Sequence, residues 1–92
     1  MGTKPRSKPE RLAFKLVQIR TALGLSQSEM HSRLGVEDLI SFKEISKYEL
    51  GTREPTLIIL LQYSRIAGVH MEVLADDELE LPEKLPSKRK AK

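Results

Sequence analysis

Ser26-Gln-Ser-Glu-Met-His-Ser-Arg-Leu-Gly35 and, after five intervening residues, Ser41-Phe-Lys-Glu-Ile-Ser-Lys-Tyr-Glu-Leu-Gly51-Thr-Arg-Glu-Pro55 write two short helices, each with its own start and stop. Ser26 stands as an N-cap, with Glu29 three residues on to reach back to the Ser26 N–H as a capping box. Met30 and Leu34 share one face a turn apart. Gly35 closes the helix at a left-handed position that other residues enter only at a cost. The second stretch repeats the plan: Ser41 caps, Glu44 answers, Ile45 shares faces with Tyr48 and Glu49, and Gly51 closes. Helices of two to three turns bury too little to stand alone, so the flanking sequence must supply a body for them to pack on.

Upstream, Ser7 and Glu10 repeat the capping-box spacing, and Pro9 fits a first helical turn. A helix is expected from there to Leu23, with Leu12, Leu16, Ile19 and Leu23 on one face, flanked by Ala13, Val17 and Ala22. Gly24 ends it, and Leu25 can staple toward Met30. Downstream, Val36, Leu39 and Ile40 are expected to turn inward and Glu37 and Asp38 outward. Thr56 caps a fourth helix over 57–67, with Leu57, Leu60, Leu61 and Ser64 as its buried face, Ile58 and Ile59 beside it, and Gly68 as its stop. A short fifth helix over 69–75 packs Met71 and Leu74 down. Beyond Asp76, Leu79 and Leu81 alternate with acids, the period of a half-buried edge segment. Pro82 and Pro86 bar further helix. The expected class is all-α: five helices over 9–75, a flexible basic arm over 1–8, and an extended acidic segment with a basic tail over 76–92.

The chain has 92 residues and a net charge of +3, unevenly spread. Residues 1–71 carry 11 Lys/Arg and 7 Asp/Glu, residues 72–83 carry 6 acids and no base, and residues 84–92 carry 5 bases and no acid. A basic head and a basic tail suit an anionic partner such as nucleic acid; the plain alternative is solvated termini. With four aromatic residues, the core has to be aliphatic. The absence of cysteine excludes disulfides, thiolate metal sites and a cysteine nucleophile, and agrees with a cytoplasmic setting. No apolar run approaches the roughly 20 residues of a membrane span, and the start lacks the apolar core of a signal peptide. His31 and His70 lack a ligand pattern, and the acids of 72–83 lack the turn of a Ca²⁺ loop. No nucleophile–base set or phosphate loop occurs. Neither catalysis nor a cofactor is expected.

A close helix pair of this kind has the shape of a helix-turn-helix unit, whose second helix enters the DNA major groove. From about Leu16 to Leu74 the chain resembles the phage-repressor-like helix-turn-helix family of the lambda-repressor, Cro and Xre type. The resemblance rests on Ile19-Arg20, Leu23-Gly24-Leu25-Ser26-Gln27, Leu34-Gly35, Ile45-Ser46-Lys47-Tyr48-Glu49-Leu50-Gly51, Pro55, and Ala67-Gly68-Val69 followed by Leu74. Each piece is weak alone; their order and spacing are specific together. It implies a compact five-helix DNA-binding domain, matching the helix count above. One departure stands out. Gly35 and Ile45 lie ten residues apart, about four more than the family pattern, so the turn between the second and third helices is longer.

The resemblance implies roles for named residues. Gln27 contacts a phosphate and braces the third helix, and Ser26 and Ser28 join it where a helix N-terminus offers free N–H groups. Ser41, Phe42, Lys43 and Lys47 match positions that face base edges. Lys43 can donate to guanine O6 and N7, and Ser41 can serve several bases. Phe42 has two readings, a contact with a thymine methyl or a core residue under the enlarged turn. Thr52 and Arg53 match phosphate contacts, and an unengaged surface Arg is the alternative. Arg20 and Glu49 match a salt bridge between the first and third helices, expected to be at least partly buried. The chain thus reads as a sequence-specific regulator of double-stranded DNA, expected to be a repressor and a homodimer on a pseudo-palindrome. The rival class is a protein-interaction module, such as an antitoxin or adaptor on the same fold, with the charged C-terminal segments as its partner surface.

Overall fold

The computed structural model describes residues 9–86. Its helices are α1 (Leu12–Leu23), α2 (Gln27–Leu34), α3 (Lys43–Leu50), α4 (Leu57–Ala67) and α5 (Met71–Ala75), with no strand among the described residues. No described helix is long and apolar enough to cross a membrane.

Local chemistry sets most of the ends. Ser26 Oγ accepts from the Glu29 N–H at 3.0 Å while Glu29 Oε1 accepts from the Ser26 N–H at 2.8 Å, a complete capping box. Thr56 Oγ1 accepts from the Ile59 N–H at 3.4 Å and starts α4. The first four helices close on Gly24, Gly35, Gly51 and Gly68, all at positive φ. The left-handed turn at Gly24 (φ +72) lets three residues, Gly24, Leu25 and Ser26, join α1 to α2.

Three starts differ from the spacing-based expectation. Ser41 does not cap α3 by a capping box. The N-cap is Phe42, without a side-chain cap bond, and Ser41 Oγ instead accepts from the Lys43 N–H at 3.3 Å. Glu44 does not reach back, because two cations hold its carboxylate. For α1, Ser7 lies outside the described residues, and the N-cap is Arg11, whose side chain makes no cap bond. The free N–H groups there go to a distant residue. Asp77 Oδ1 accepts from the N–H groups of both Glu10 and Arg11, at 3.1 and 3.0 Å, and Asp77 Oδ2 accepts from Glu10 at 3.0 Å. The last helix starts at Met71 rather than Val69.

The core is aliphatic, built on Leu12, Leu16 and Ile19 of α1, Met30 and Leu34 of α2, Ile45 of α3 and Leu74 of α5, with Tyr48 and Tyr63 among them. The buried face of α4 is Ile59, Leu60, Tyr63, Ser64 and Ala67, whereas Leu57 and Ile58 are exposed. Residues 57–61 are continuously apolar and so carry no period to choose a face. Tyr63 and Ala67, one turn apart, decide it. Leu39 also departs: Val36 is buried and Ile40 packs on the core, but Leu39 faces solvent.

Residues 76–86 lie on the body without forming a sheet edge. Leu81 packs on the core and Leu85 is inside it, 3% exposed. Arg11 meets Glu80 through both terminal guanidinium nitrogens, at 2.7 and 2.9 Å. Lys15 is the one fully buried cation among the described residues. Its Nζ donates to the carbonyls of Val73 and Asp76 at 2.7 and 2.8 Å. A cation there satisfies carbonyls left free at the end of α5 and sits at the negative end of its dipole. Burial, and then the charge of Arg11, pushes the Lys15 ammonium below the usual lysine range.

Candidate nucleic-acid interface

α2 and α3 are both short, and a polar bracket centred on Glu49 fixes their relation. Arg20 of α1 donates Nε to Glu49 Oε2 at 2.7 Å and Nη2 to Oε1 at 3.0 Å. Gln27, the first residue of α2, donates Nε2 to the same Oε1 at 2.9 Å. Arg20 Nη1 also donates to the Leu25 carbonyl at 3.0 Å. One carboxylate therefore ties α1, α2 and α3 together. The Arg20 and Glu49 side chains are 21% and 6% exposed, and the hydrogen bonds to Glu49 hold the guanidinium above its ordinary pKa.

With its inner face committed to Ile45, Tyr48 and Glu49, α3 turns Lys43 and Lys47 outward. Ser41 and Phe42, just before it, are exposed as well, Phe42 by 50%. Burial of Phe42 under the turn is thereby overturned. At the other end, Gly51 at φ +78 folds the chain back so that the Thr52 and Arg53 N–H groups both reach the Lys47 carbonyl, at 3.0 and 3.3 Å. Thr52 Oγ1 donates to that carbonyl at 3.3 Å. This leaves the Arg53 side chain exposed beside the end of α3. Ser26 and Ser28, at the opening of α2, are exposed too, although Ser26 Oγ is engaged in its cap.

Glu44 is the acidic member of this face. Its carboxylate lies 3.1 Å from Arg53 Nε and 3.5 Å from Lys47 Nζ, so it partly neutralises two of the cations. Burial, and next the charge of Glu44, holds the Tyr48 hydroxyl above the ordinary tyrosine range.

A family model described as helix-turn-helix matches residues 16–74. The chain belongs to the helix-turn-helix family of the lambda-repressor and Xre type. It carries the domain of a DNA-binding regulator, and the five helices agree with that family's fold. No curated protein and no solved structure gives a match.

The turn that departs from the helix-turn-helix family pattern is ordered by its own contacts. The Leu39 and Ile40 N–H groups both donate to the Val36 carbonyl, at 2.9 and 3.1 Å. His31 of α2 reaches across, its Nε2 2.7 Å from the Ile40 carbonyl. Spacing alone could not reveal that bond. It also could not reveal that Glu44 would sit between Lys47 and Arg53. Lys15 did leave a signal: it falls at i+3 from Leu12 and i−4 from Ile19, on the apolar stripe itself.

Proposed function

We propose that this regulator binds a pseudo-palindromic duplex site as a homodimer and acts as a repressor, with α3 in the major groove. The observation that carries the reading is the two-sidedness of α3. Ile45, Tyr48 and Glu49 hold it to the body, while Lys43 and Lys47, with Ser41 and Phe42 just before it, stand clear. Lys43 and Ser41 then read base edges, and Lys47, Thr52 and Arg53 add backbone and groove contacts. Gln27, Ser28 and the N–H groups opening α2 approach a phosphate. Dimerisation draws support from Leu50, Leu57 and Ile58, large apolar side chains left exposed at the two ends of the α3–α4 loop.

Selection of a random duplex library by the purified protein tests this, with the winners rebound at about 50 and 200 mM salt. A palindromic site with fixed half-site spacing is the expected result. Salt-sensitive retention without a motif would leave a nonspecific binder. No retention at the lower salt would remove the reading and favour a protein partner.

Glu44 supplies a second expectation. Glu44→Gln frees Lys47 and Arg53 and removes a charge that repels phosphate. Affinity for duplex DNA should rise, and the slope of log affinity against log salt should steepen by up to about one for each further phosphate that the two cations neutralise. Titration of one duplex at several salt concentrations measures both, and an unchanged slope would place Lys47 and Arg53 away from the phosphates.

A further inference from the structure

Leu39 and Phe42 are 62% and 50% exposed, on a turn whose neighbouring apolar residues turn inward. Val36 is buried to 1% and Ile40 packs on the core, so the turn is anchored on both sides of Leu39. The bonds to the Val36 carbonyl and from His31 to the Ile40 carbonyl close it further. Leu39 and Phe42 are therefore presented by an ordered turn, three positions apart. Between and just after them stand Ser41 and Lys43, both exposed.

From this placement we infer that Leu39 and Phe42 form an apolar clamp for the 5-methyl groups of thymine, and that the DNA site carries thymines opposite this turn. The inference rests on the proposed reading of α3 and deepens it. In the major groove the thymine methyl is the apolar feature that a side chain without hydrogen-bonding atoms can recognise. Two exposed side chains three positions apart are enough to meet methyl groups, whereas a protein partner would need a far broader buried patch. Lys43 beside them suits a polyanion. Because the turn is held before binding, little ordering is needed to place the two side chains. Each methyl removed from water should contribute roughly fourfold in affinity.

Uracil lacks that methyl and pairs like thymine, so it isolates the contact. The experiment takes the selected duplex, replaces each thymine in turn by uracil, and titrates the full-length chain and its Leu39→Ala, Phe42→Ala double variant. Both side chains are exposed, so the variant should melt within a few degrees of the parent. The expected result is a loss of roughly tenfold when uracil replaces the thymines facing the turn, with no loss at other positions. The double variant should bind the thymine duplex about that much more weakly, be indifferent to uracil, and keep the parent salt slope. A selected site that tolerates uracil everywhere, or a variant that still discriminates, would overturn the clamp and leave the DNA-reading role of α3 standing. A chain that selects no motif would overturn both.

Discussion

Replacing Glu49 with alanine should destabilise the folded chain by about 2–3 kcal/mol, because it leaves the Arg20 guanidinium, 21% exposed, with the Leu25 carbonyl as its remaining acceptor among those described. Arg20 would lose both bonds of its fork, and the Gln27 amide would lose its acceptor. For a domain of this size that is a fall in Tm of about 15 °C. The same change should weaken DNA binding at temperatures where the variant is folded, since α2 and α3 would no longer share an anchor. Arg20→Ala should cost a similar amount, leaving a carboxylate that is 6% exposed with Gln27 as its remaining partner among those described. The double change Arg20→Leu, Glu49→Leu should recover much of the stability, because two apolar side chains need no desolvation of charge. Thermal melts of the four proteins rank them, and an Arg20→Ala, Glu49→Ala double variant closes a double-mutant cycle with the two single changes. A Glu49→Ala protein that melts with the parent and binds DNA equally well would show the bracket to be idle.

Ending the chain after Asp76 should be at least as damaging, although it removes none of the helices α1 to α5. Leu85 alone, 3% exposed, contributes roughly 2–3 kcal/mol by analogy with other large-to-small core changes. Leu81 adds part of that, and the cut also removes the Asp77 acceptors of the Glu10 and Arg11 N–H groups. Urea unfolding should show a lower midpoint and a less helical start of α1. An unshifted midpoint would mean that the segment rests on the surface without stabilising it.

The same segment makes acid sensitivity directional. Hydrogen bonds from the Glu10 and Arg11 N–H groups hold the Asp77 carboxyl below its ordinary value of 3.8, and the Arg11 guanidinium holds Glu80 below 4.5. Folded values that are depressed mean stability that is whole above the unfolded values and lost as pH falls through the folded ones. Urea midpoints compared between about pH 6 and pH 3 should therefore fall less in an Asp77→Asn variant than in the parent. Equal falls in the two proteins would show that Asp77 plays no part.

These contrasts explain what the sequence could disclose. Most signals that act within one turn were readable, namely the Ser26–Glu29 box, the Thr56 cap and the glycine stops, although the same spacing at Ser41 and Glu44 made no box. The family motif extended that reading over 16–74. The motif also named one distant pair, Arg20 and Glu49, but contacts between distant parts of the chain that it does not name were not readable. Nothing near Asp77 says that it will hold the start of α1, and nothing near Leu85 separates it from a solvated tail. The continuous apolar run of 57–61 gave the helix but not its face. At the site, the motif named positions, while the placement of Glu44 between Lys47 and Arg53 needed three-dimensional packing.

The joining of the two ends also bears on how the chain is made. A ribosome delivers α1 first, yet the carboxylate that completes the first turn of α1 arrives 66 residues after Arg11. At about 5–20 residues per second, the opening of the domain waits several seconds for its closing partner. α3 has emerged by then, but the scaffold that steadies it has not. A nascent chain held on the ribosome before Leu85 clears the exit should bind DNA poorly, so competence for binding waits on the segment that carries Asp77 and Leu85.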